Sequence, residues 1–270
     1  MKKILISLLF LFVCVSSGCG NFSDEIKGEL VVKRGPDGKI TDEFNEIRVL
    51  ILNNIYQSNY YYKFKYSEKT IFKKNENQQL YQAKGEYIIN EGNVKSFHYH
   101  GTYGFVITHD EIKRAQNYNE EFWKIESSEI ASSTIDYYFI QYYQIKENDR
   151  IIVDDYIKTK NYSKALEKTV LNNKNVITHL FTSANFVNLF DDKYLFYLDE
   201  KDNNKTIYIV ENSISQITIK TLFFEDDKLL KIKVYSESAF QSIEMTFKLK
   251  YDDYKIKPPK NTDNFDQIYS

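Results

Sequence analysis

Cysteine is nearly missing from this chain of 270 residues: there are two, Cys14 and Cys19, and both fall within the first twenty positions. A disulfide framework and a cysteine-based zinc site are thereby excluded from the rest of the protein. With 3 prolines and 9 glycines there is little material for a flexible linker, and the length suits one large domain. No apolar run beyond residue 15 approaches the roughly 20 residues of a membrane-spanning helix. Charge of one sign is not in excess either. Lys and Arg number 36 against 38 Asp and Glu, which gives no overall electrostatic reason to expect nucleic acid or strong adhesion to anionic lipid. The signatures Gly-x-Ser-x-Gly, His-Glu-x-x-His and the phosphate-binding loop are absent. With 4 histidines and no thiol in the main body, the raw material for catalysis is thin. The expectation is a protein that is not an enzyme and holds no cofactor.

What is present at the N-terminus comes in three parts: a positive start at Lys2 and Lys3, an apolar run from Ile4 to Val15, and the small residues Ser16, Ser17 and Gly18. That is the layout of a secretory signal. The small residues run directly into Cys19, and Ser-Ser-Gly-Cys resembles the lipobox of bacterial lipoproteins, with Ser16 standing where Leu is usual. The resemblance implies that residues 1–18 are a signal peptide and that Cys19 carries a diacylglycerol, palmitate-like in chain. It also implies a protein held on the extracytoplasmic face of the cell membrane by that lipid. Each buried acyl CH2 contributes about 0.8 kcal/mol, and two chains suffice for stable anchoring without a further helix. Loss of Lys2 and Lys3 takes Lys plus Arg from 36 to 34, a formal charge of −4.

Residues 19–39 read as a lipidated N-terminus and tether, in which LVVKRGPDGKIT offers two short extended pieces around the turn Gly35-Pro36-Asp37-Gly38. The main domain is expected over 40–262, with a tail at 263–270. It opens on an amphipathic helix of about 14 residues: Phe44, Ile47, Ile51 and Ile55 share a face, and Thr41 is the candidate N-cap. The period then changes to two. In YYYKFKY, Tyr60, Tyr62, Phe64 and Tyr66 make an aromatic face, while Tyr61, Lys63 and Lys65 make a charged one. Further strands are predicted at 69–74, 79–89, 94–99, 102–108, 134–146 and 150–157. Two helices are predicted at about 162–172 and 175–188, then a strand in KYLFYLD. A closing meander carries Ile217, Ile219 and Phe223, then Leu230, Ile232 and Val234, then Met245, Phe247, Leu249 and Tyr251, with Asp226-Asp227 as a turn. The 23 Tyr and 19 Phe prove nothing by number, because the accompanying wealth of Lys, Asn and Ile is what an AT-rich genome produces.

The order of these elements, EEFWKIE around Trp123 and the closing YDDYKIKPP together resemble the lipoprotein-carrier superfamily of LolA, LolB, LppX and LprG. The resemblance implies an α+β fold: a curved antiparallel β-sheet, an incomplete half-barrel covered by a few helices, whose hollow can hold acyl chains. On that basis the ligand, a lipid or other apolar molecule, is expected between Phe181, Phe186 and Phe190 on the inserted helices and Phe223, Met245 and Phe247 on the sheet. The implied role is a carrier or sensor. A ligand-free surface interaction or structural lipoprotein would use the same residues as core, and the sequence does not separate the two. Partners are thus the membrane, through Cys19, and an apolar ligand. No protein partner is legible.

Other candidates have plain alternatives. His98 and His100 lie two apart and share a strand face, with His109 near in sequence, but no acid follows at ligand spacing and no metal is expected. His179 is expected to be structural. The pairs Asp154-Asp155, Asp191-Asp192, Asp226-Asp227 and Asp252-Asp253 read as solvated turn or strand-end residues. DEKDNNK at 199–205 lacks the alternating acids and turn glycine of a calcium loop.

Overall fold

The computed structural model describes residues 26–56, 59–72, 77–90, 93–109, 112–126, 134–161, 190–213 and 215–267. In chain order these form β1 (Glu29–Leu30), α1 (Asp42–Tyr56), β2 (Tyr60–Phe72), β3 (Asn77–Asn90), β4 (Asn93–His109), β5 (Ile112–Glu126), β6 (Ile135–Glu147) and β7 (Arg150–Lys160). There follow β8 (Tyr194–Lys201), β9 (Asn204–Asn212), β10 (Gln216–Glu225), β11 (Lys228–Ser238), β12 (Gln241–Lys250) and β13 (Asp266–Gln267). The thirteen strands among the described residues make one curved, unclosed sheet in the order β1-β8-β9-β10-β11-β12-β2-β3-β4-β5-β6-β7-β13. Every pairing is antiparallel except β13 with β7. The predicted helices at 162–172 and 175–188, with Phe181, Phe186 and His179, lie outside the described residues, as does Cys19.

Period two explains which face is buried. On β2, Tyr60, Tyr62, Phe64 and Tyr66 join Tyr87, Phe97, Tyr99, Phe122 and Phe139 of the next four strands in the main core. Gly85 makes room for this layer. A Cβ there would stand 2.6 Å from the Phe64 ring, so the aromatic ring lies over bare backbone. β-Bulges at Ile88/Ile89, Ile145/Lys146 and Phe223/Phe224 add bend to the sheet.

Helix α1 lies on the core face through Phe44, Ile47, Ile51 and Ile55, as its spacing predicts. The Thr41 hydroxyl accepts the Phe44 N–H at 3.3 Å and so caps the helix, with Asp42 and Glu43 in the favourable first turn. At its other end the side chain of Asn54 donates to the Asp227 carbonyl at 2.8 Å and accepts the Leu229 N–H at 2.8 Å. That ties α1 to the β10–β11 turn, where Asp226 and Asp227 both adopt left-handed φ (47° and 59°). No helix among the described residues is long and apolar enough to cross a membrane.

Several boundaries differ from the sequence reading. The strands predicted at 60–66 and 69–74 are one strand, and so are 94–99 and 102–108, since Gly101 is accommodated within β4 and does not end it. β9 is not among the predicted strands, and β5 extends well before EEFWKIE, the part of it that resembles a family strand. β9 starts inside a polar stretch, because 199–205 is the end of one strand, a two-residue turn and the start of the next, with Asp202 at φ 54°. The tether is packed from β1 onward. Val31 is buried and donates its N–H to the Phe196 carbonyl at 2.9 Å, and Arg34 bridges Ile40 around the predicted turn. Part of the expected tail is built in as well: Phe265 and Ile256 bury Trp123 and Tyr138 on the sheet face opposite the main core.

Candidate functional site

The residues expected to meet an apolar ligand fall in three different environments. Met245 and Phe247 face the main core. Phe247 is 0% exposed, with its ring 6.0 Å from Tyr62 and 6.3 Å from Phe64, so here the core is close-packed. Phe223 points the other way. It is paired with Lys231, and Lys231 with Lys248, which neighbours core-facing Phe247 and so lies on the opposite face. The ammonium groups of Lys231 and Lys233 stand 5.2 and 5.9 Å from the Phe223 ring. The core positions of β10 are Leu222 and Phe224, one step out of phase with the Ile217–Ile219–Phe223 pattern. Two adjacent phenylalanines left the phase ambiguous, and the expectation for Phe223 is corrected accordingly.

Phe190 borders a pocket. Its ring stacks on Phe196 at 6.0 Å and meets Phe44 edge-on at 6.1 Å. With Phe44, Leu52 and Ile40 it walls a pocket of about 210 Å3. The rim is polar: Lys33, Arg34 and Arg48 supply three cations, and Asp191 and Asp192 two carboxylates. Lys33 hydrogen-bonds the Asp191 carbonyl, and its ammonium lies 5.4 Å from the Phe196 ring. Burial lowers its pKa, with Asp192 and Asp191 acting against the shift. Arg48 stands 5.7 Å from the Phe190 ring. The arrangement is amphipathic, an apolar wall with a mixed rim in which cations outnumber carboxylates three to two. Arg48 occupies the polar side of the helix pattern, and Lys33 and Arg34 come from the presumed tether. No local sequence signal joins them to Phe190.

His98 and His100 do share a face, and it is not simply solvated. Glu121 Oε1 lies 3.5 Å from His98 Nε2 and 3.1 Å from His100 Nδ1, while His98 stacks on Trp123 at 4.5 Å and 6°. His100 first and His98 second pull the Glu121 carboxyl down to about 2, against the upward push of burial. His109 ends β4. No group of three or more His, Cys, Asp or Glu residues among the described ones is arranged to hold a metal. Asp154 and Asp155 lie within exposed β7, not at a turn, and Asp252-Asp253 follows β12.

No family model matches the chain, and no curated protein matches it. It is similar to the crystal structure of a beta-barrel-like protein of the domain of unknown function DUF1849 from Brucella abortus. The two are 8% identical over 73% of this chain and 99% of that one, with a TM-score of 0.23. At that score the likeness carries no argument about fold or ligand.

Proposed function

We propose that the protein is a membrane-anchored, extracytoplasmic lipoprotein, similar in plan to the LolA-like carriers. In this reading it binds the apolar part of an amphiphilic ligand against its curved sheet and the ligand's acidic end at the Lys33–Arg34–Arg48 rim. The observation that carries this reading is the pocket beside Phe190, apolar within and bordered by three cationic groups against two carboxylates. At about 210 Å3 it is smaller than the roughly 300–1,000 Å3 of pockets that enclose a whole small ligand, so it suits one end of a longer molecule. Cys19 would hold the protein at the membrane from which such a ligand comes. A ligand-free interaction module is the second reading, and the close packing of Phe247 favours it on that side of the sheet.

Two experiments test the proposal. Mass spectrometry of organic extracts from the purified protein should find a co-purifying acidic lipid in a fixed molar ratio, and clean extracts from folded protein would favour the second reading. Cys19→Ala should release the protein from the membrane fraction or leave it unprocessed. Processed, membrane-bound Cys19→Ala protein would remove the lipid anchor from the account.

A further inference from the structure

The face of the sheet opposite the core gathers lysines that the balanced net charge conceals. Register places Lys231 opposite Lys248, and Lys248 opposite Lys63, across β11, β12 and β2. One step along, Lys65 stands opposite Lys84 across β2 and β3. Like charges directly opposite one another on a sheet are destabilising, so these rows cost the fold something when empty. Among the described residues Lys65, Lys84 and Lys248 make no ion pair, while Lys63 reaches Glu86 at 3.6 Å. Lys231 beside them has its pKa lowered, first by desolvation and then by Lys233 and Lys248.

The two rows bound a groove. A cavity of about 330 Å3 runs across the strands with Lys248 and Lys63 on one side and Lys65 and Lys84 on the other, closed at one end by Glu86 and His98. A second groove of about 460 Å3 lies alongside, sharing Lys65, Lys84 and Thr246 as its wall and offering Thr102, Ser67 and His100 beyond. Neighbouring lysines of a row are about 4.8 Å apart at the backbone, and the two rows about 7 Å apart. Lysine ammonium groups are mobile point charges that bind phosphate without a fixed fork geometry, and hydroxyls can add neutral donors.

We propose that this groove binds a linear phosphate-bearing polyanion, laid across β12, β2 and β3 between the Lys248/Lys63 and Lys65/Lys84 pairs. A linear anion with charges recurring every few ångströms meets Lys65, Lys84 and Lys248, which have no ion pair among the described residues, and competes with Glu86 for Lys63. A flat anionic bilayer fits less well, because it would also be pressed against Glu121 and Glu244 on the same face, whereas a narrow chain between the lysine rows meets Glu86 alone. The groove is separate from the pocket at Phe190, so this inference does not depend on the lipid reading.

Short-chain inorganic polyphosphate titrated into the full chain, followed by calorimetry, tests it. Saturable binding that weakens steeply with added salt is expected. The double variant K65Q/K84Q should lose at least tenfold in affinity, while K201Q/K228Q, which removes the same charge from exposed turn regions, should stay within twofold. Thermal melting should show both variants folded. Three outcomes overturn the proposal: no saturable binding by folded protein, equal loss in the two double variants, or Lys65- and Lys84-dependent binding to phosphatidylglycerol vesicles with none to polyphosphate.

Discussion

The side-chain carbonyl of Asn54 accepts the backbone N–H of Leu229 at 2.8 Å, joining residues 175 positions apart in sequence. Leu229 is fully buried, and the Tyr251 hydroxyl donates to its carbonyl at 2.9 Å. The end of the helix is thus fixed to the sheet by a polar contact inside an otherwise apolar region. Asn54→Leu keeps the volume and strands the buried Leu229 N–H, a loss worth about 1–3 kcal/mol, while the Asp227 carbonyl lies on an exposed residue that water can reach. A fall of that size in urea-denaturation stability is expected, and an unchanged midpoint would show that the contact contributes nothing.

Phe223 and Phe247 give opposite answers to the same substitution. Phe247→Ala empties a fully buried, ring-packed position and should cost about 3–5 kcal/mol. Phe223→Ala removes a half-buried ring that faces the Lys231 and Lys233 ammonium groups on the other face and should cost under about 1 kcal/mol. Comparable losses in denaturant would contradict the assigned orientation of β10.

Gly85 should not tolerate a side chain. The methyl of Gly85→Ala would meet the Phe64 ring and the His98 carbonyl, and overpacking of this kind costs about 1–3 kcal/mol. Gly85→Ala combined with Phe64→Leu should recover part of the loss. If the double variant is no more stable than the sum of the single changes predicts, the ring is not the obstacle.

Glu121 adds an acid-dependent contribution. Its folded pKa is about 2 against an ordinary 4.5, so the unfolded state binds the proton more readily. The stabilisation is complete above about pH 5 and is lost as pH falls through 4.5 towards 2. Wild type should therefore lose more stability than Glu121→Gln between pH 5 and pH 3. Denaturation curves that shift equally for both proteins would exclude the role.

Much of this fold is written locally. The spacing of Phe44, Ile47, Ile51 and Ile55 gives the helix and its buried face, and the alternation from Tyr60 to Tyr66 gives both faces of β2. Asp226-Asp227 marks its turn because short acidic side chains tolerate left-handed backbone. What was illegible depends on register. The phase of β10 is ambiguous between two adjacent phenylalanines until a bulge and a partner strand fix it. Lys65 and Lys84 become neighbours only through the pairing of β2 with β3. Lys33, Arg34 and Arg48 likewise meet at Phe190 only once the presumed tether has packed on the sheet. Composition sees charges in total, and not which face they share.

The central claim, an amphiphile site at Phe190, is tested most directly by titrating a fluorescent fatty-acid analogue into the purified protein and its Leu52→Trp and Arg48→Gln variants. Leu52 and Arg48 line the pocket, so the tryptophan should fill it and block the probe with little change in thermal melting, while Arg48→Gln should weaken binding of the acid but not of its methyl ester. Saturable binding by wild type, displaced by natural lipid and lost in Leu52→Trp, is the predicted result. Folded wild-type protein that shows no saturable binding, or binding indifferent to both substitutions, would contradict it.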